Sequence, residues 1–215
     1  MNRVFLLGTV KTTKDPEKLG RIQVELPHFS KPILTPFLRL MVPYTGDSSG
    51  KSGWVFLPEK GDEVIVLCPS FGETLLPDDL AQAVVLGVLY NGKDRKPIYS
   101  NDDDKNCKRQ LITKKGHGFA FDDEKKTILI TCIDDKTSIF MDADKKEIII
   151  KVGKSTIKMA EKKIEITTDA DGMKLVTKGD MTIESKKSIT IKGKGIKIDA
   201  QSKPCDIKGK AVNIC

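Results

Sequence analysis

Residues 155–215 read STIKMA EKKIEITTDA DGMKLVTKGD MTIESKKSIT IKGKGIKIDA QSKPCDIKGK AVNIC, and one pattern runs through them. Two apolar side chains separated by one other residue recur: Ile157 and Met159, Ile164 and Ile166, Met173 and Leu175, Met181 and Ile183, Ile189 and Ile191, Ile196 and Ile198, Cys205 and Ile207, Val212 and Ile214. Successive pairs start 7, 9, 8, 8, 7, 9 and 7 residues apart. Inside each pair the period is two, which puts both side chains on one face of a strand. Between pairs lie turn formers and charges, as in Lys178-Gly-Asp180 and Lys192-Gly-Lys-Gly195. A period near eight residues is the signature of a β-solenoid or β-helix.

A rung of this kind does not hold itself together. Ordering its backbone costs roughly 8–16 kcal/mol, taking 1–2 per residue. Burying two aliphatic side chains returns only about 3–6 kcal/mol. Each rung offers one thin apolar edge, whereas a single-chain solenoid turns several inward per coil. Three such rungs around an axis close a core, so the repeat predicts an intertwined homotrimer with the first six pairs, Ile157 to Ile198, in its interior. An ordinary antiparallel meander is the alternative.

Composition shifts ahead of this repeat. Nine of the ten prolines lie at or before Pro97, and Asn101-Asp-Asp-Asp104 reads as an exposed connector. The expected organisation is all-β: a barrel over 1–97, a connector and stalk start over 98–126, and a triple-stranded β-helix over 127–215. In the first part, strands are expected at Val4–Val10, Gly20–Leu26, Leu38–Tyr44, Trp54–Leu57, Glu63–Cys68 and Ala83–Tyr90. Turn signals such as Pro58-Glu-Lys-Gly-Asp62 and Asn91-Gly92 separate them. Five or six short strands in under a hundred residues suit an OB-fold. Glu73–Gln82 fits one short helix or a loop.

With 39% hydrophobic and 31% charged residues, the chain reads as soluble and ordered. No apolar run approaches the ~20 residues that span a membrane, and the N-terminus is too short in apolar residues for a secretory signal. Five cysteines without C-x-x-C suggest reduced thiols and cytoplasmic synthesis. The net charge of +7 is uneven: residues 1–100 carry 12 basic and 11 acidic groups, residues 101–215 carry 25 and 19. Attraction to nucleic acid or an anionic membrane is one reading. A solvated face is favoured, since lysines mix with acids and no aromatic follows Phe140 to stack bases. No specific nucleic-acid partner is expected.

Motifs for chemistry are weak. Gly46-Asp-Ser-Ser-Gly-Lys-Ser52 is one residue short of a phosphate-binding loop and leads into an expected strand, not a helix. Asp169-Ala-Asp-Gly172 lacks the Gly and Glu that a calcium-binding loop needs further on. Asp122-Asp-Glu124 and Asp134-Asp135 sit at expected turns, with neighbouring acids on opposite faces. His28 and His117 are the only histidines. Cys205 and Cys215 read as small apolar residues, although threefold symmetry would gather three Cys215 thiols on the axis. No catalytic residue, cofactor or metal site is assigned, and an enzyme is not expected.

Three segments carry a family resemblance: Gly20-Arg-Ile-Gln-Val-Glu-Leu-Pro27, Trp54-Val-Phe-Leu-Pro-Glu-Lys-Gly-Asp-Glu-Val-Ile-Val66 and Val85-Leu-Gly-Val-Leu-Tyr-Asn91. In order and spacing they resemble the OB domain of contractile-injection spikes, the family of the type VI secretion protein VgrG and phage baseplate assembly protein V. Gly116-His-Gly-Phe-Ala-Phe-Asp-Asp123, followed by Thr127-Ile-Leu-Ile130, resembles that family's junction into its β-helix. The resemblance implies a membrane-piercing trimeric spike in a phage-tail-like particle, fired at a target envelope or released outside the cell. The large hub domains of VgrG are missing, which implies a separate baseplate hub at the OB end. No lysozyme-like insertion lies between barrel and stalk, and the loop 73–83 differs from the family's usual form. The His-x-His iron site at the apex of some phage spikes is also missing. A PAAR-like tip protein is therefore expected on Ala211, Val212, Asn213, Ile214 and Cys215. The alternative function is a secreted OB-type module on a β-helical stalk, binding carbohydrate or nucleic acid, and a weaker one is a cell-wall enzyme.

Overall fold

The computed structural model describes residues 2–47, 49, 52–71, 77–92, 96–98, 104–169, 172–200 and 204–212. The first half forms five strands and one helix: β1 (Asn2–Thr12), β2 (Ile22–Leu26), β3 (Ile33–Leu40), β4 (Glu63–Phe71), α1 (Pro77–Ala81) and β5 (Val84–Leu89). They close a barrel in the order β1-β2-β3-β5-β4. The long β1 serves two neighbours, running antiparallel to β2 at its end and to β4 along most of its length. The parallel pairing of β3 with β5 and the antiparallel pairing of β4 with β5 complete the circuit.

Alternation explains the barrel core. Ile22, Val24 and Leu26 point inward along β2, and Val64 and Val66 do so along β4. With Val10, Leu38, Leu80, Ala83 and Val85 they form the one buried cluster found among the described residues. Gly8 lies against this cluster, and an added Cβ there would run into the Val24 side chain. The β2–β3 register shifts between Gln23 and Glu25. The Val24 amide instead donates to the buried Thr35 hydroxyl at 3.0 Å, which donates to the Pro36 carbonyl at 2.8 Å. A proline is tolerated inside β3 at this irregularity, where the ladder is interrupted.

Two expected strands are corrected. The third runs Ile33–Leu40, not Leu38–Tyr44, because the bulge admits Pro36 while Pro43 cannot extend a ladder. Trp54–Leu57 is not a strand. The segment is apolar without alternation, so neither face has a core to meet. All four side chains are exposed, and the Trp54 amide reaches the Tyr44 carbonyl.

The second half is a seven-stranded antiparallel meander: β6 (Lys108–Ile112), β7 (Gly118–Asp122), β8 (Thr127–Cys132), β9 (Asp134–Asp142), β10 (Glu147–Val152), β11 (Ser155–Ala160) and β12 (Lys163–Thr167). It begins at Lys108, within the 98–126 segment expected as connector and stalk start. Its turns follow local chemistry. Lys126 and Lys146 adopt positive φ (54° and 52°) at the ends of four-residue turns, and Gly153 (58°) starts a two-residue one. Residues 172–200 and 204–212 form no strand ladder within the chain. Among the described residues no helix is long and apolar enough to cross a membrane, and Cys68, Cys107, Cys132 and Cys205 are free thiols.

Candidate assembly surface

The meander register sorts every side chain onto one of two faces. On one face, Leu111, Phe119, Ile130, Ile139, Ile150, Ile157 and Ile166 are cross-strand partners in succession. Beside them runs a second row, Arg109, Phe121, Ile128, Met141, Ile148, Met159 and Ile164. The Phe119 and Phe121 rings meet edge-on with centroids 4.5 Å apart. This face is a stripe two residues wide and seven strands long, about 29 Å at ~4.8 Å per strand. No side chain of the stripe is buried, and Ile164 remains 69% exposed. Covering its thirteen apolar side chains would stabilise the fold by on the order of 10 kcal/mol per chain.

Four of the expected core residues, Ile157, Met159, Ile164 and Ile166, are thus aligned on one face. The other eight, from Met173 to Ile198, keep their two-residue spacing, but the chain does not bring them together, and each is more than half exposed. Nine stripe residues between Leu111 and Ile150 were not picked out by the repeat. Their signal was the same apolar pair at longer steps. Of the expected tip-contact residues, Ala211 and Val212 are exposed, while Asn213, Ile214 and Cys215 lie outside the described residues.

Ion pairs stitch successive turns along one margin of the sheet. Lys105 reaches Glu124 at 2.7 Å, Lys126 reaches Asp144 at 2.7 Å, and Lys146 reaches Glu161 at 3.1 Å. The partner carboxylate raises the pKa of Lys126. Of the carboxylates considered for catalysis, Asp122 holds a turn, and Asp142, which was not among them, holds the corresponding turn of the next hairpin. Asp122 accepts the Lys125 amide and Asp142 the Lys145 amide, each at 2.9 Å. The amide and ammonium of Lys145 hold the Asp142 carboxyl below its ordinary range. The side chains of Asp134 and Asp135 lie outside the described residues, as do Ala170 and Asp171 of the considered calcium loop. His117 sits in the β6–β7 turn, its amide donating to the Thr113 hydroxyl. In the loop considered for phosphate, the Asp47 carboxylate accepts from the amide and hydroxyl of Ser49, and the Asp47 amide donates to the Ser52 hydroxyl.

The face opposite the stripe carries Ala120, Leu129, Phe140 and Ile149 in one cross-strand row. Ala120, Leu129 and Phe140 floor a shallow groove of about 600 Å³ rimmed by Lys108, Asp122, Asp142 and Lys145. At the other end of the sheet, Lys114 pairs with Glu59 at 2.9 Å and ties the meander to the barrel.

The closed barrel, though not the sheet that follows it, is matched by a family description. Residues 6–90 match the model for the type VI secretion system/phage-baseplate injector OB domain. The barrel belongs to that family. The match takes in β1 from Leu6 onward, the other four barrel strands and α1, and stops before the meander. The match supports a baseplate role of the spike type and is consistent with a component of a phage-tail-like particle. A comparison with curated proteins gives no significant match.

Proposed function

We propose that the chain is the central, membrane-piercing spike of a contractile injection particle, working mechanically and without catalysis, as a homotrimer. The observation that carries this reading is the uncovered apolar stripe on a sheet attached to an injector OB domain. Three copies turn their stripes toward a common axis and form a three-sided prism. Beyond Thr167, residues that find no ladder in their own chain pair with those of the two neighbours, and the apolar pairs from Met173 onward continue the same core. The repeat supports this continuity, since the pairs keep the strand period through the change from meander to interleaved rungs.

The barrel end seats on a separate hub protein, and the exposed run Trp54–Leu57 offers apolar surface there. At the far end, strand edges invite augmentation by a PAAR-like tip protein at residues 211–215. On firing, the spike crosses the envelope of the target cell. Native mass spectrometry of the full chain tests the assembly, with a single trimeric species expected. A well-folded monomer at micromolar concentration overturns the spike reading and leaves the secreted binding module standing.

A further inference from the structure

The whole charge excess of the stalk sits in its distal part. Residues 101–171 hold 15 basic and 15 acidic side chains, whereas residues 172–215 hold 10 lysines against 4 carboxylates. The balance changes further along the chain. Between Glu184 and Asp199 lie Lys186, Lys187, Lys192, Lys194 and Lys197, with no carboxylate among them. All five are exposed. Lys197 approaches Asp199 at 3.5 Å, and no ion pair joins the other four to any described residue. The meander contrasts with this, because its lysines reach acids on neighbouring strands and turns.

A solvated stalk face would alternate signs, as the meander does. This band does not, and even complete pairing inside residues 172–215 leaves six lysines per chain without a carboxylate. Lys186 and Lys187 lie between the apolar pairs 181/183 and 189/191, and Lys192 and Lys194 between 189/191 and 196/198, in the segments that turn from rung to rung. Lys197 lies inside its pair and points away from it. Lys192 and Lys197 therefore face away from the neighbouring pairs, while Lys186, Lys187 and Lys194 sit at bends between them.

We infer that the band Lys186–Lys197 binds the anionic phosphate groups of a lipid surface. The inference deepens the spike reading by naming what the stalk meets, and it rests on that reading for the choice of partner. The residue types point the same way. Lysine is a compact, strongly hydrated charge suited to a diffuse anionic surface. Arginine, which reads bases and phosphates with two parallel hydrogen bonds, does not occur after Arg109, and no aromatic residue after Phe140 stacks on bases. Three chains around an axis would place three copies of the band at one level.

The test is vesicle sedimentation of the full chain, with assembly followed in parallel by native mass spectrometry. Binding to phosphatidylcholine vesicles carrying phosphatidylglycerol is expected, with none to phosphatidylcholine alone. Raising salt from about 0.05 to about 0.5 M abolishes it, because screening shortens to a few ångströms. Replacing Lys186, Lys187, Lys192 and Lys194 by Gln weakens binding at least about 100-fold, at roughly fivefold per lysine near such a surface. The same four changed to Arg retain it. Changing Lys14, Lys31, Lys60 and Lys96 of the barrel to Gln removes equal charge and leaves binding intact. Equal loss from the barrel variant overturns the inference, as does equal binding to neutral vesicles. Displacement by inorganic phosphate at constant ionic strength makes the band a free-anion site and overturns the lipid assignment. Tighter binding to duplex DNA than to vesicles overturns it in favour of nucleic acid. A monomer that still binds through the band sinks the spike reading alone.

Discussion

Asp15 shows how a single side chain organises a loop without a core. Its carboxylate takes both a side-chain pair from Arg21, at 2.8 and 3.0 Å, and the amides of Glu17 and Leu19. Arg21 then spans to Glu17 at 2.7 Å and lies over the Phe37 ring. The Arg21 hydrogen bonds hold the Asp15 carboxyl far below the usual carboxylate range. A depressed folded-state pKa contributes stability above the unfolded value of about 3.9 and loses it as pH falls toward the folded one. Thermal midpoints of the barrel should thus drop as pH is lowered below about 4. The Asp15→Asn variant should start lower at neutral pH and lack this part of the acid dependence. Parallel acid profiles for the two proteins would remove Asp15 from the account. Gly8 acts by absence of a side chain. Gly8→Val puts branched carbon where Val24 already stands, and overpacking of this kind costs about 1–3 kcal/mol. Denaturant midpoints read the loss.

Strands and turns set how much of the molecule the sequence reveals. Barrel strands β1, β2, β4 and β5 were legible because apolar and polar residues alternate or the core runs are bounded by turn signals. The boundary of β3 was hidden by a side-chain substitute for a backbone acceptor, Thr35 for the missing partner of the Val24 amide, which no periodicity reports. Trp54–Leu57 imitated a strand through composition alone. In the stalk, the repeat stood out only from Ile157 onward. Upstream, the residue between the two apolar ones is apolar as well, as in Ile128-Leu-Ile130, Ile139-Phe-Met141 and Ile148-Ile-Ile150. Those middle residues belong to the opposite face, and Leu129 and Phe140 floor the groove there. An unbroken triplet erases the period of two. The apolar stripe was read in part for this reason, and the groove on the opposite face not at all. The turn-to-turn ion pairs give an element-scale prediction. Lys126→Ala and Lys146→Ala each remove an exposed pair, so each should cost well under about 1 kcal/mol, with a smaller difference at high salt. A loss of several kcal/mol in urea titrations would mean that the positive-φ backbone at these turns, not the ion pair, is what the lysines support.

At the scale of the whole molecule, the barrel and the stalk differ in what completes them. The barrel buries its own cluster within one chain, while the stripe buries none of its side chains. Ile139 sits mid-stripe between Ile130 and Ile150, and Ile183 sits in the rungs beyond. Ile139→Asp and Ile183→Asp each place three carboxylates on the proposed axis, where an unpaired buried charge is very costly. Both should yield monomers with a folded barrel, seen as a shift in native mass. Trimers that persist with Asp at both positions would put the stripe on the outside. Once assembled, residues 127–215 should exchange amide protons more slowly than residues 1–97, because interleaved rungs support one another at every level. The reverse order in hydrogen exchange would contradict the interleaving.

The meander joins only strands adjacent in sequence, and this bears on how the molecule comes to be. Sheet contacts at short sequence separation have a low loop-closure cost and form early. Each chain can therefore reach its seven-stranded sheet alone, at a rate independent of concentration. In the proposed trimer, residues 172–200 and 204–212 have no such local route, since their partners arrive by collision. Refolding from denaturant should then divide into a first-order phase, reported by early strand signal, and a later phase that accelerates with chain concentration. Meander strands formed first would hold three tails in parallel and in the same phase before any rung closes. On this view the sheet from β6 to β12 is a nucleating clamp that sets the register of everything wound after it.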